Sequence, residues 1–298
     1  MAYEVVSTTG VDEAPLRVNE FKRFLRVFLG RRLVVFGMVV ILAFIIIAIF
    51  APLLAPYDPL EPDLSTVLQQ PSGAHWLGTD PQGRDTLSRI IYGTQTSLMI
   101  GLIVVTCASI VGMTLGTLAG YFGGWTHIII MRIIDSLMSF PMILLALVVA
   151  SLLGSGVKNV IIALSVALVP SYARVMCGQV LSVKENDYVL AGRSIGARNL
   201  HIMLRHIVPN CLAPLLVMVT MALGGVVLAE AGLSFLGIGI TPPTPAWGSM
   251  VNDGRQYLLS LPILSFAPGL ALMFLVFAFN MVGDGLRDAL DPRLRGML

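Results

Sequence analysis

The chain has 298 residues, of which 56% are apolar and 12% charged, with a mean hydropathy of +0.85 and a formal net charge of +2. Soluble domains carry about 25% charged residues, so this composition excludes a soluble globular protein, and the near-neutral balance gives no reason to expect a nucleic-acid partner. Cys107, Cys177 and Cys211 lie in or beside apolar runs without paired spacing, which implies neither a disulfide nor a metal site.

Residues 1–32 are polar and then basic, with Arg17, Lys22, Arg23, Arg26, Arg31 and Arg32. The first apolar run, 33–54 (LVVFGMVVILAFIIIAIFAPLL), is predicted as a retained transmembrane helix. The long polar stretch before it and the absence of a small-residue cleavage site argue against a cleaved leader. A hydrophilic extracytoplasmic loop rich in Pro and Asp fills 55–95. A membrane domain over 96–283 follows, with further spans at about 96–119, 127–151, 157–176, 213–236 and 263–282, and 284–298 form a cytoplasmic tail. Each run is long enough to cross a hydrocarbon core of about 30 Å. The expected fold is therefore all-α and multi-pass, with six transmembrane helices.

Six spans put both termini on one side, and the positive-inside rule decides which. With the N-terminus inside, the inner segments hold 15 of the 19 Lys and Arg residues, leaving only Arg84, Arg89, Lys158 and Arg255 outside. The topology is N-in, C-in, and the polar insert 185–209 is cytoplasmic.

In the outer loop, Gly78 and Gly83 bracket a turn in LGTDPQGRD, where Asp80, Arg84 and Asp85 are placed for a local network of ion pairs and caps. Gly112, Gly116 and Gly120 recur every four residues, giving a small-residue face for close helix packing. Pro141, Pro170, Pro214 and Pro268 predict kinks near or within spans 3 to 6.

No catalytic constellation is present. None of Lys22, Lys158 and Lys184 follows a glycine, so there is no Walker A phosphate loop and the chain is not its own ATPase. His75, His127, His201 and His206 lack zinc-site spacing, and neither H-E-x-x-H nor G-x-S-x-G occurs. No metal ligand or bound cofactor is expected. Two acids fall inside spans. Asp135 lies near the inner face, three residues from Arg132 and placed for an i,i+3 pair. Glu230 lies near the outer end of span 5. Each is either paired near an interface or lines a pathway. No acid sits at mid-depth, where a proton- or sodium-coupled carrier would usually place one.

The insert ENDYVLAGRSIGARNLHIMLRHIVPN starts at Glu185 and is the richest polar stretch among the spans. It is predicted as two short amphipathic helices joined at Gly196, with Pro209 ending the second before span 5. Leu200, Met203, Leu204 and Ile207 are expected on one face, with Arg198, His201 and Arg205 elsewhere. Such an element either docks in a protein groove or lies on the lipid surface.

Gly196, followed thirteen residues later by Pro209, resembles the "EAA" loop of binding-protein-dependent ABC importer permeases. The usual glutamate falls here at Leu190, and the two alanines at Ala191 and Gly192. Three further blocks, HWLGTDPQGRD from His75, AEAGLSFLGIG from Ala229 with PPTPAWG from Pro242, and GDGLRDALDPR from Gly283, resemble the C-type permease subunit of dipeptide, oligopeptide and nickel ABC importers. The resemblance covers nearly the whole chain from about Arg17. It implies a MetI-like permease fold in the plasma membrane of a bacterium or archaeon. The implied partners are a homologous B-type permease, two cytoplasmic ATPase subunits that use the ATP, and an extracytoplasmic substrate-binding protein. It implies that 185–209 carry the coupling helix, with Asp187, Ala191, Gly192, Arg193, Gly196, Ala197, Arg198, Leu200 and Leu204 meeting the ATPase. A secondary carrier working alone is the alternative.

Overall fold

The computed structural model describes residues 20–290. The expected cytoplasmic segment up to residue 19 and the tail from 291 to 298 lie outside the described residues. Regular structure among the described residues is helical, with an isolated antiparallel bridge between Thr79 and Asp85. The helices are α1 (Glu20–Gly30), α2 (Arg32–Ile49), α3 (Ala51–Leu54), α4 (Thr86–Phe122), α5 (Gly124–Met138), α6 (Met142–Leu153), α7 (Val157–Val183), α8 (Asp187–Ser194), α9 (Asn199–Ile202), α10 (Val208–Phe235), α11 (Trp247–Gly254) and α12 (Ile263–Leu290).

Five helices are long and apolar enough to cross a membrane: α2, α4, α7, the continuous rod Asn199–Phe235, and α12. Helices α5 and α6 pass the same test as a pair, and counted as one crossing they bring the total to six. The sequence predicts that crossing as one span over 127–151 with a kink near Pro141; the structure breaks it there into two helices, with a bend of 92°. Pro141 has no N–H to continue the ladder. The amide of Ser139 closes α5 on the Asp135 carbonyl (3.1 Å), and Leu144 and Leu145 donate to the Pro141 carbonyl to start α6 (3.0 Å each). Pro170, Pro214 and Pro268 lie inside helices that continue through them.

Helix α4 starts ten residues earlier than hydropathy suggests, because Asp85 caps it: its carboxylate accepts from the Ser88 amide (2.8 Å) and hydroxyl (2.7 Å). Helix α2 is apolar all round and leaves most of its surface uncovered, as a lipid-facing helix does.

The centre of the bundle is the α4–α7 pair, backed by α10. Lipid tails are as apolar as leucine, so close van der Waals packing has to hold helices together here. The glycine row supplies it. A Cβ on Gly112 would lie 2.6 Å from Cβ of Tyr172, one on Gly116 2.7 Å from Cβ of Met176, and one on Gly120 2.8 Å from Cβ of Val180. Overpacking a tight core costs about 1–3 kcal/mol. Gly116→Val is therefore expected to lower the melting temperature of the solubilised protein, whereas Gly178→Ala, on an open face of α7, does not lower it, since alanine favours the helix. Equal melting of the Gly116 variant and wild type by fluorescence-detected size exclusion would contradict this packing.

Candidate functional site

The insert leaves α7 at Lys184 and re-enters the bundle through α10. Helix α8 ends in a Schellman motif: the Gly196 amide donates to the Arg193 carbonyl (3.0 Å) and the Ala197 amide to the Gly192 carbonyl (3.1 Å). Gly196 takes φ +76°, and a Cβ there would meet nothing within 4 Å. Glycine is needed for its left-handed backbone, and space plays no part.

Pro209 does not end the second helix. The rod runs on from Asn199 to Phe235 through a π-helical turn at Met203–Ile207. The wider i→i+5 turn accommodates the carbonyl that the proline ring would strike and the bond that its missing N–H cannot make. The same turn splits the expected apolar face. Met203 and Ile207 join Ile202 in the core, while Leu200 (63% exposed) and Leu204 (61%) point outward.

Of the residues expected at the ATPase contact, Asp187, Ala191, Arg193, Gly196, Arg198, Leu200 and Leu204 are exposed, Ala197 is half-buried and Gly192 is buried. Three exposed apolar side chains were not anticipated: Tyr188, Leu190 and Ile195, the last 85% exposed at the tip beside Gly196. The readable signal was a large apolar residue immediately before a glycine helix stop.

Three contacts fix the insert to the inner end of α4. Lys184 Nζ donates to the Gly120 carbonyl (3.2 Å), Tyr121 Oη donates to Asn199 Oδ1 (2.9 Å), and the Arg193 guanidinium lies 5.1 Å from the centre of the Tyr121 ring. Val189, wholly buried, anchors α8 from beneath. Arg198, Leu200, Leu204 and Arg205 line a shallow groove of about 530 Å³ on the exposed side. The insert is a rigid knob with apolar tips and an arginine rim.

The two intramembrane acids differ. Asp135 does not pair with Arg132; its carboxylate takes Arg174 of α7, and both side chains are about half exposed. Glu230 is paired with hydroxyls and not with a cation. It is wholly buried near the end of α10, with Ser234 Oγ donating to Oε1 (2.8 Å) and Ser97 Oγ near Oε2 (3.4 Å). Ser234 Oγ also accepts from the Ile240 amide (3.0 Å), tying the loop after α10 to this acid.

The outer turn forms as its sequence predicts and extends further. Asp80 Oδ1 accepts from the amides of Gln82 (2.8 Å) and Arg84 (3.0 Å), and Oδ2 from Arg84 Nε (2.7 Å). Asp85 also holds His75 Nδ1 (3.0 Å). Arg89, outside the expected network, is 1% exposed. It donates to the carbonyls of Pro59 (2.9 Å) and Pro243 (3.3 Å), with Nε 3.5 Å from Asp80. Burial pushes the nearby Asp253 carboxyl above the usual carboxylate range, and Arg89 and Arg84 pull it back. Among the described residues no group of His, Cys, Asp and Glu converges as a metal site.

Comparison with known proteins places these features in context. Residues 112–296 match the family described as "Binding-protein-dependent transport system inner membrane component", and 19–71 match "N-terminal TM domain of oligopeptide transport permease C". The chain is 44% identical over 264 residues to the dipeptide transport system permease protein DppC of Alkalihalophilus pseudofirmus, covering 89% of this chain and 87% of that one. It is 43% identical over 276 residues to the glutathione transport system permease protein GsiD of Pectobacterium atrosepticum, covering 92% of each. Among solved structures, the inward-facing MetNI methionine ABC transporter gives a TM-score of 0.55 at 19% identity, over 68% of this chain and 97% of that one. That likeness concerns the fold.

Proposed function

Because this chain belongs to the binding-protein-dependent transport system inner membrane components, as a multi-pass ABC importer permease subunit, we propose that it forms half of a pathway for small peptides. A homologous B-type permease supplies the other half. Two cytoplasmic ATPase subunits hydrolyse the ATP, and an extracytoplasmic binding protein delivers the cargo. This chain holds no cofactor and performs no catalysis. Dipeptide and glutathione permeases among its relatives support a short peptide as cargo.

The observation that carries this reading is the anchored insert. Its exposed tip, Ile195, Leu200 and Leu204, fits a groove on an ATPase subunit. Its base is continuous with α7 and α10 and tied to α4 through Lys184, Tyr121 and Arg193. Closure of the ATPase pair then pushes a stiff handle, and the three central helices move with it.

Reconstitution with a second permease, two ATPases and a binding protein tests the assignment. Uptake of a labelled dipeptide is expected to require ATP and all the components. Uptake by the purified chain alone without ATP would return the protein to the class of secondary carriers.

A further inference from the structure

The Asp135–Arg174 pair stands on an exposed face of two otherwise apolar helices. On α5 and its C-cap, Arg132, Asp135, Ser136 and Ser139 are all exposed, and Asp135 and Ser136 lie three and four residues from Arg132, so they share one arc. Exposed Ile128 and Trp125 begin the same arc one and two turns earlier, and Ile129 and Ile133 occupy the neighbouring one. On α7, Arg174, Gly178 and Ser182 are exposed at four-residue intervals and continue the polar strip toward the inner end. Arg174 lies nine residues, about 14 Å, from that end.

A charged side chain turned to hydrocarbon costs about 2.5–3.5 kcal/mol on insertion scales, so charged residues in spans face water or protein. Here the ion pair is half exposed and bonded across helices, while the isoleucines beside it suit lipid. The strip's hydroxyls are satisfied within α5: Ser136 Oγ donates to the Arg132 carbonyl (2.9 Å) and Ser139 Oγ to the Ser136 carbonyl (2.7 Å). A surface so satisfied holds a passing solute weakly. The ion pair is different, because each partner can be exchanged for a charge of the same sign on a ligand.

We infer that this α5–α7 face is a wall of the water-filled pathway, and that Asp135 and Arg174 transiently receive the ammonium and carboxylate of a zwitterionic peptide. A zwitterion replaces one internal pair by two charge-assisted contacts. Release restores the internal pair, so the ligand is not trapped. The inference rests on the importer reading and assigns a cargo contact within it.

The assembled, reconstituted transporter supplies the test, with Cys107, Cys177 and Cys211 replaced. Single cysteines at Ser136 and Ser139 are exposed to a charged methanethiosulfonate in the nucleotide-free state and after trapping with ATP and vanadate. Labelling is expected to slow at least about tenfold on trapping, since a thiol shut away from water cannot ionise. A cysteine at Ile133 is expected to label poorly in both states. Equal, fast labelling of Ser136→Cys in the two states would place the strip on a surface that stays wet throughout the cycle, outside the pathway. No labelling in either state would assign it to lipid or to the second permease. Either outcome overturns the wall.

The double variant Asp135→Asn with Arg174→Gln removes both charge-assisted contacts, and dipeptide uptake per ATP by the assembled complex, with assembly checked by size exclusion, is expected to fall roughly tenfold or more. Undiminished uptake would remove the zwitterion site. Absence of ATP-dependent uptake in the wild-type proteoliposomes would instead count against the importer reading itself.

Discussion

Replacing Gly196 by Val is expected to cut ATP-driven uptake by about tenfold or more while the membrane bundle still assembles. A left-handed backbone costs an L-residue about 1–2 kcal/mol, and a β-branched side chain suffers most. Gly196 sits at φ +76° in open space, so strain at the Schellman turn is the only penalty the substitution introduces. Relief of that strain reorients α8 relative to α9, and the knob no longer presents Ile195 and Leu200 together. Gly196→Asn is the informative comparison, since asparagine tolerates this conformation. It should retain most of the uptake. Equal loss in both variants, measured as uptake per ATP in proteoliposomes, would show that backbone handedness is not what matters.

The second large effect is expected at Arg89. This buried guanidinium joins three outer segments, through Pro59, Asp80 and Pro243, and faces Asp253. Removing one partner of a buried pair costs about 3–5 kcal/mol. Arg89→Leu should therefore lower the melting temperature sharply and reduce the amount of assembled protein. Arg89→Lys, which keeps the charge and loses the planar fork, should fall between. A Leu variant that melts with wild type would show that Asp80 and Arg84 hold the outer cap unaided.

Much of this architecture was legible because membrane helices obey one-dimensional rules. Uncharged length marked the spans, and Gly112, Gly116 and Gly120 announced the α4–α7 contact. Gly196 announced a helix stop inside the polar insert. What the sequence hid depended on partners distant in the chain. Asp135 has Arg132 one turn away, yet α7 offers Arg174 across the groove between helices, 39 residues on. Glu230 falls five residues before the end of α10. Its burial depends on Ser97, 133 residues earlier, and on a loop that folds back to Ser234. Pro209 looked like a stop because an α-helical ladder cannot accept it there, and the π turn before it provides another ladder. That turn also put Met203 and Ile207 in the core and left Leu200 and Leu204 outside, so a 3.6-residue wheel wrongly put all four on one face.

The claim on which the account rests is that the insert meets an ATPase subunit and not the lipid surface. A cysteine at Ile195, the most exposed large side chain of the insert, carrying a short photoreactive group in the transport-competent complex, tests it directly. The account predicts a crosslink to one ATPase subunit, lost when Gly196 is replaced by Val. Crosslinking to lipid alone, in a complex that still imports its cargo, would contradict it.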